Sequence, residues 1–261
     1  MKNKGYKVYS VNSKSKGGFW GVTIVICGLL LTISVCNLLG YAFFSSGLSI
    51  VSGKERNGNS FYAVELDSFD SYNEANKFAT NIQQKGGAGY ITYNKEYKVL
   101  SSLYVTYNDA KAVADNVKQD YPDATVYEIV FVDVKLPDDL TSEQHNAITT
   151  SLEVIKSAIS TMTNIYLGID TGELSNETAH SMLQTLYDDS VTQAESISSA
   201  FHSKDEAIYL KYKMYLTDFA SNISQICSID MQGMELSQII KYQQLKSTFL
   251  YLRMRELFNG D

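Results

Sequence analysis

The chain has 261 residues, 44% of them hydrophobic, a net charge of -7 and three cysteines, which is enough for one or two domains. Lys2, Lys4, Lys7, Lys14 and Lys16 stand in residues 1–18 without an acid, so the 22 basic residues less these five leave 17 against 29 acidic ones in the remainder. An acidic body argues against nucleic acid as the main ligand, because phosphate binding needs a basic footprint; Cys27, Cys36 and Cys227 have neither a CxxC nor a Cys/His spacing, which argues against a disulfide framework and a structural zinc site.

In chain order, residues 1–18 form a basic tail, followed by an uncharged stretch that lasts from Lys16 to Lys54. Within it, residues 19–44 are rich in Val, Ile and Leu and exceed the roughly 20 residues that cross a bilayer. A signal peptide has an apolar core of only about 7–15 residues, so an uncleaved transmembrane helix is expected. Five lysines before it and none close after it place the N-terminus in the cytoplasm and the rest outside, in a single-pass protein. Residues 45–60 are rich in Ser, Gly and Asn and read as a flexible linker, with a mean span on the order of 20 Å.

Two twelve-residue segments then repeat thirty-five positions apart, Ser71–Ile82 and Thr106–Val117, with Tyr, Asn, Ala, Ala and Asn identical in register. Each follows a strand-like run, Phe61–Phe69 and Tyr97–Tyr104. Each opens on a capping-box pair, Ser71 with Glu74 and Thr106 with Asp109. Ala75, Phe78, Ala79 and Ile82, and then Ala110, Val113, Ala114 and Val117, give each helix one apolar face. Gly86-Gly87 stops the first helix, Ala88–Tyr93 is a strand, Tyr121-Pro122-Asp123 turns the chain, and Thr125–Val132 is a further strand. The order is βαββαβ, ferredoxin-like, with both helices expected on one sheet face and the other face open. Period two places Tyr62, Val64, Leu66, Tyr97 and Val99 under the helices. Glu65, Lys98, Leu100 and Ser102, with Tyr90 and Thr92 beside them, fall on the uncovered side. Polar groups next to aromatic rings suit a sugar polymer; an ordinary solvated sheet face has the same composition.

The run Tyr62-Ala63-Val64-Glu65-Leu66-Asp67-Ser68-Phe69, the helix Ser71–Lys85 closed by Gly86-Gly87, Tyr97-Lys98-Val99 and Asn108–Lys118 together resemble a SPOR domain, over about residues 60–134. SPOR domains are peptidoglycan-binding modules of bacterial cell-division and sporulation proteins. The resemblance implies binding of denuded glycan strands, those lacking stem peptides, with Glu65, Tyr90, Thr92, Lys98, Leu100 and Ser102 as the candidate glycan-binding residues. Two places depart from the family pattern: Glu65 stands where the family favours Gln, and Ser102-Leu103-Tyr104 stands where it favours Gly-Pro-Phe. An ionised Glu accepts but cannot donate a hydrogen bond.

Beyond the 61–134 module, residues 141–258 contain no proline and switch to helical periodicity. Ile148, Leu152, Ile155, Ile159, Met162 and Tyr166 alternate spacings of four and three. A turn from Gly168 to Ser175 leads to helices over about Asn176–Phe201, Lys204–Ile229 and Met234–Phe258, an expected antiparallel four-helix bundle. Glu177 and His180 form one Glu-x-x-His pair, but a di-iron site requires a second such pair and two further carboxylates. No hydrolase, zinc-protease or P-loop motif is present, so neither an enzyme nor a cofactor is expected. The sequence thus reads as an α+β protein of the bacterial cell membrane. It binds peptidoglycan through the module and possesses a helical domain able to dock a protein partner. The rival reading is a membrane-anchored scaffold in which both domains dock proteins and neither binds glycan.

Overall fold

The structure, a computed structural model, describes residues 60–201, 207–228, 230 and 232–259. The expected basic tail, the transmembrane helix over 19–44 and nearly all of the linker lie outside the described residues. Among the described residues, no helix is long and apolar enough to cross a membrane.

The first half runs β1 (Ser60–Phe69), α1 (Tyr72–Gln84), β2 (Tyr90–Asn94), β3 (Glu96–Tyr104), α2 (Tyr107–Val117) and β4 (Thr125–Val130). This is the βαββαβ order the repeat predicts. The strands form one antiparallel sheet in the order β2-β3-β1-β4, so the two repeat units meet at the central β1–β3 pair. Tyr62, Val64, Leu66, Val99 and Tyr104 pack beneath Ala75, Ala79 and Ile82 of α1 and Ala110 and Ala114 of α2. The small alanines let both helices lie close to the strands. Only the second predicted cap is made by a side chain: Thr106 Oγ1 accepts from Asp109 N at 3.2 Å, whereas Ser71 contributes its backbone carbonyl, which accepts from Ala75 N. Gly89, with φ +56, lets the chain pass close to the last turns of α1; a Cβ there would collide with the Ala79 carbonyl oxygen.

The β1–β3 register slips twice. Val64 lies opposite Ser102, Glu65 opposite Leu100, and Asp67 opposite Val99, which leaves Ser101 and Leu66 as extra residues. These bulges invert the alternation beyond them.

The second half consists of α3 (Ser142–Thr171), α4 (Asn176–Ala200), α5 (Ala207–Cys227) and α6 (Gly233–Glu256). α3 begins with a full capping box, in which Thr141 Oγ1 accepts from Gln144 N and Gln144 Oε1 accepts from Thr141 N. α3 runs through Gly168, where a turn was expected, and ends at Gly172, whose φ of +74 suits glycine. All six residues of the predicted α3 seam are buried. α3 packs on α4 and α6, and α5 packs on the same two helices, so the contacts close a ring. Gln244, fully buried, donates to the Ile159 carbonyl at 2.8 Å and to Thr163 Oγ1 at 2.6 Å, fastening α6 to α3.

The largest departure from expectation concerns the second sheet face, which is covered and not open. Phe61, Ala63, Leu100, Leu103, Ile129 and Phe131 share one core with Ile148, Leu152, Ile155, Leu245, Tyr251 and Met254 of the helical half. Tyr166 Oη donates to the Leu103 carbonyl at 2.7 Å. Lys241 Nζ donates to the Gly86 carbonyl at 3.1 Å while paired with Asp170, and Arg255 Nε donates to the Val132 carbonyl at 2.6 Å. The physical reason is visible in the strands: Phe61, Ala63, Leu100, Leu103 and Ile129 form a contiguous apolar surface, and leaving it in water would forfeit about 1.5–3 kcal/mol for each large side chain. The sheet is therefore a central layer between α1 and α2 on one side and the four long helices on the other.

Candidate functional site

Pairing in the sheet assigns each candidate residue to a face, because directly opposed residues project to the same side. Tyr90 lies opposite Leu100, Thr92 opposite Lys98, and Glu65 opposite both Leu100 and Thr125. These six, with Tyr127 opposite Ala63, occupy the face away from α1 and α2, as predicted for five of them, Glu65, Tyr90, Thr92, Lys98 and Leu100. Ser102 does not join them. The bulge at Ser101 turns it to the α1/α2 side opposite Val64, where it is 5% exposed and hydrogen-bonds Tyr104. A period-two count through an unseen bulge placed it on the wrong face.

Of the five that share the face, Leu100 is fully buried in the core shared with the helices and presents no surface to a ligand. Glu65 is 7% exposed, and Lys98 Nζ donates to its Oε1 at 2.6 Å. The Lys98 ammonium also lies 5.9 Å from the Tyr127 ring centroid. Glu65 thus takes one charge-assisted hydrogen bond from its own chain. Thr92 remains partly exposed on the edge strand β2. The polar strip still in contact with solvent is Thr92, Lys98, Tyr127 and the edge of Glu65.

Tyr90 marks where this strip meets the helical half. Its ring stacks on Phe249 with centroids 5.3 Å apart and planes 12° from parallel, and meets Tyr242 edge-on at 5.6 Å. Burial raises the Tyr90 phenol above its ordinary value, Tyr242 adds to the rise, and the Arg253 guanidinium opposes it. Sequence reasoning did not connect Tyr242, Lys246, Phe249 and Arg253 to this region. They follow one another at spacings of four, three and four, one stripe of α6. The available signal was that stripe together with a β1 sequence apolar on both faces, which marks a doubly covered strand.

Among the described residues, no group of His, Cys, Asp and Glu could hold a metal ion.

The SPOR domain family model matches residues 58–128. No curated protein and no solved structure matches the chain. SPOR domains are generally peptidoglycan-binding modules of cell division and are not catalytic. The segment that carries the repeated strand–helix unit and the β2-β3-β1-β4 sheet is a SPOR domain.

Proposed function

We propose that the protein is a single-pass bacterial membrane protein whose extracytoplasmic SPOR domain binds peptidoglycan glycan strands in cell division or sporulation. The observation that carries this reading is the SPOR match over 58–128. The uncharged apolar stretch over 19–44, preceded by five lysines, supports anchoring with the N-terminus in the cytoplasm. The anchor works by effective concentration: a domain tethered at the membrane meets the adjacent wall without a diffusive search. Glycan contacts fall to Thr92, Lys98, Tyr90 and the edge of Glu65, because Leu100 and Ser102 are committed to packing. The four long helices, in this reading an antiparallel bundle, brace the sheet and carry any protein contact.

A second reading has a specific observation in its favour. The helices cover most of the sheet face on which the glycan was expected, and Glu65 is already paired with Lys98. Under it the protein is a membrane-anchored scaffold that docks proteins and binds no glycan. Co-sedimentation of the detergent-solubilised full chain with purified sacculi separates the two. Pelleting that increases after amidase strips the stem peptides supports glycan binding; a chain that stays in the supernatant with both preparations leaves the scaffold reading. Protease treatment of intact spheroplasts tests the topology, which predicts loss of the SPOR domain from outside.

A further inference from the structure

Beside Tyr90, the covered sheet face opens into a cleft of about 420 Å3 between β2, α5 and α6, within the roughly 300–1,000 Å3 of small-ligand sites. Its apolar wall is the stacked pair Tyr90 and Phe249. Lys246 and Arg253 line it from α6, and Asp218 and Asn222 from α5. Neither Lys246 nor Arg253 makes an ion pair with any described residue. The cleft brings these two cations together in a body whose acids outnumber its bases by 29 to 17 outside the first eighteen residues. Asn222 is buried, and its Nδ2 donates to Ser247 Oγ at 3.3 Å, which fixes the amide plane and leaves its oxygen as the acceptor.

Each group narrows the ligand. A ring wall favours a flat, partly apolar body such as a pyranose. Asn222 and Asp218 accept hydrogen bonds from hydroxyls. Lys246 and Arg253 call for an anion, and a carboxylate matches the planar fork of a guanidinium. Asp218 in the same cleft can balance one of the two cations, so a neutral hexose would leave one positive charge without a partner, and the acidic body opposes a polyphosphate strand.

We propose that this cleft, bordered by Tyr90 of the SPOR sheet and otherwise built by the helical half, is a binding subsite for a carboxylate-bearing sugar. The inference rests on the glycan reading above and deepens it. A glycan strand freed of its stem peptides carries a lactyl carboxylate on every second sugar, so the helices would distinguish stripped from substituted glycan.

The test uses the full chain and soluble peptide-free glycan oligosaccharides, native or with their carboxyls reduced to alcohols. Lys246→Gln with Arg253→Gln should weaken binding of the native oligosaccharide about tenfold or more, the scale of one charge-assisted contact. Wild type should lose a comparable factor on the reduced oligosaccharide, and the double variant should no longer tell the two apart. Lys77→Gln with Lys213→Gln, an equal change of charge at exposed positions outside the cleft, should bind as wild type does. Thermal melts check that every variant is folded; all four positions are at least partly exposed. Wild type that binds native oligosaccharide while the cleft variant binds it equally well overturns the subsite and leaves the glycan reading standing. Wild type that binds neither oligosaccharide nor sacculi overturns both.

Discussion

Cutting the chain after residue 134 tests whether the helical half is structural to the SPOR domain. Removal would bare a sheet face on which Phe61, Leu100, Leu103, Ile129 and Phe131 are each at most 3% exposed. Full exposure of five large apolar side chains costs about 1.5–3 kcal/mol apiece. Neighbours on the sheet still shield roughly half of that area, and denatured chains bury some of it too, so the loss comes to about 4–8 kcal/mol. A small domain has only about 5–15 kcal/mol in total. Residues 53–134 alone should therefore melt in a broad, shifted transition, bind a hydrophobic dye and associate on size-exclusion chromatography. Residues 53–261 should melt cooperatively as a dye-negative monomer. If 53–134 is a dye-negative, cooperatively melting monomer, the shared core is not what stabilises the sheet and the helices are a removable cover. In that case the shorter protein should also pellet with sacculi more strongly than the longer one.

Gly89→Ala places a Cβ against the Ala79 carbonyl at a φ of +56, which costs about 1–3 kcal/mol and should lower the melting temperature by about 3–10 °C; an unchanged melt refutes the close approach. Glu65→Ala strands the Lys98 ammonium, whose side chain is 19% exposed, and should cost about 1–2 kcal/mol in urea titration. Glu65→Gln keeps the acceptor and should cost less than half as much, so equal losses would show that the hydrogen bond contributes little. Burial raises the phenols of Tyr90, Tyr104, Tyr166, Tyr212 and Tyr251 above their ordinary value of 10.0. The unfolded chain therefore ionises first, and the stability these groups contribute is complete below about pH 10 and lost as pH rises through their folded values. Phenolate absorbance should then appear in a step that coincides with unfolding, and smooth ionisation of all tyrosines near pH 10 in a folded protein would sink this expectation.

The local features were legible because they are set by neighbours in the chain. The apolar spacing of Ala75, Phe78, Ala79 and Ile82 and its copy at Ala110, Val113, Ala114 and Val117 specify helix faces, and the intervening β-branched and aromatic runs specify strands. The α3 seam from Ile148 to Tyr166 was readable for the same reason, and every one of its residues is buried. Errors arose where one residue changes the parity of a whole strand. Ser101 is unremarkable in sequence, yet as a bulge it moves Ser102 to the opposite face. Gly168 reads as a turn, but the packing of α3 carries it within the helix.

Periodicity and the repeat by themselves determined the elements and their order, and the resemblance to SPOR domains was carried by the sequence of that module, where the family model matches residues 58–128. Only the tertiary structure decided what lies on the second face of the sheet. A strand's alternation shows which residues point together, not which distant element they meet, and Phe61, Leu100 and Ile129 find their partners on helices that begin at Ser142 or later. The same long-range packing, and nothing local to either segment, brings the Lys246–Arg253 stripe of α6 to Tyr90. Burial of apolar surface between sequence-distant elements thus turned an expected open platform into a core layer with a charged cleft at its edge.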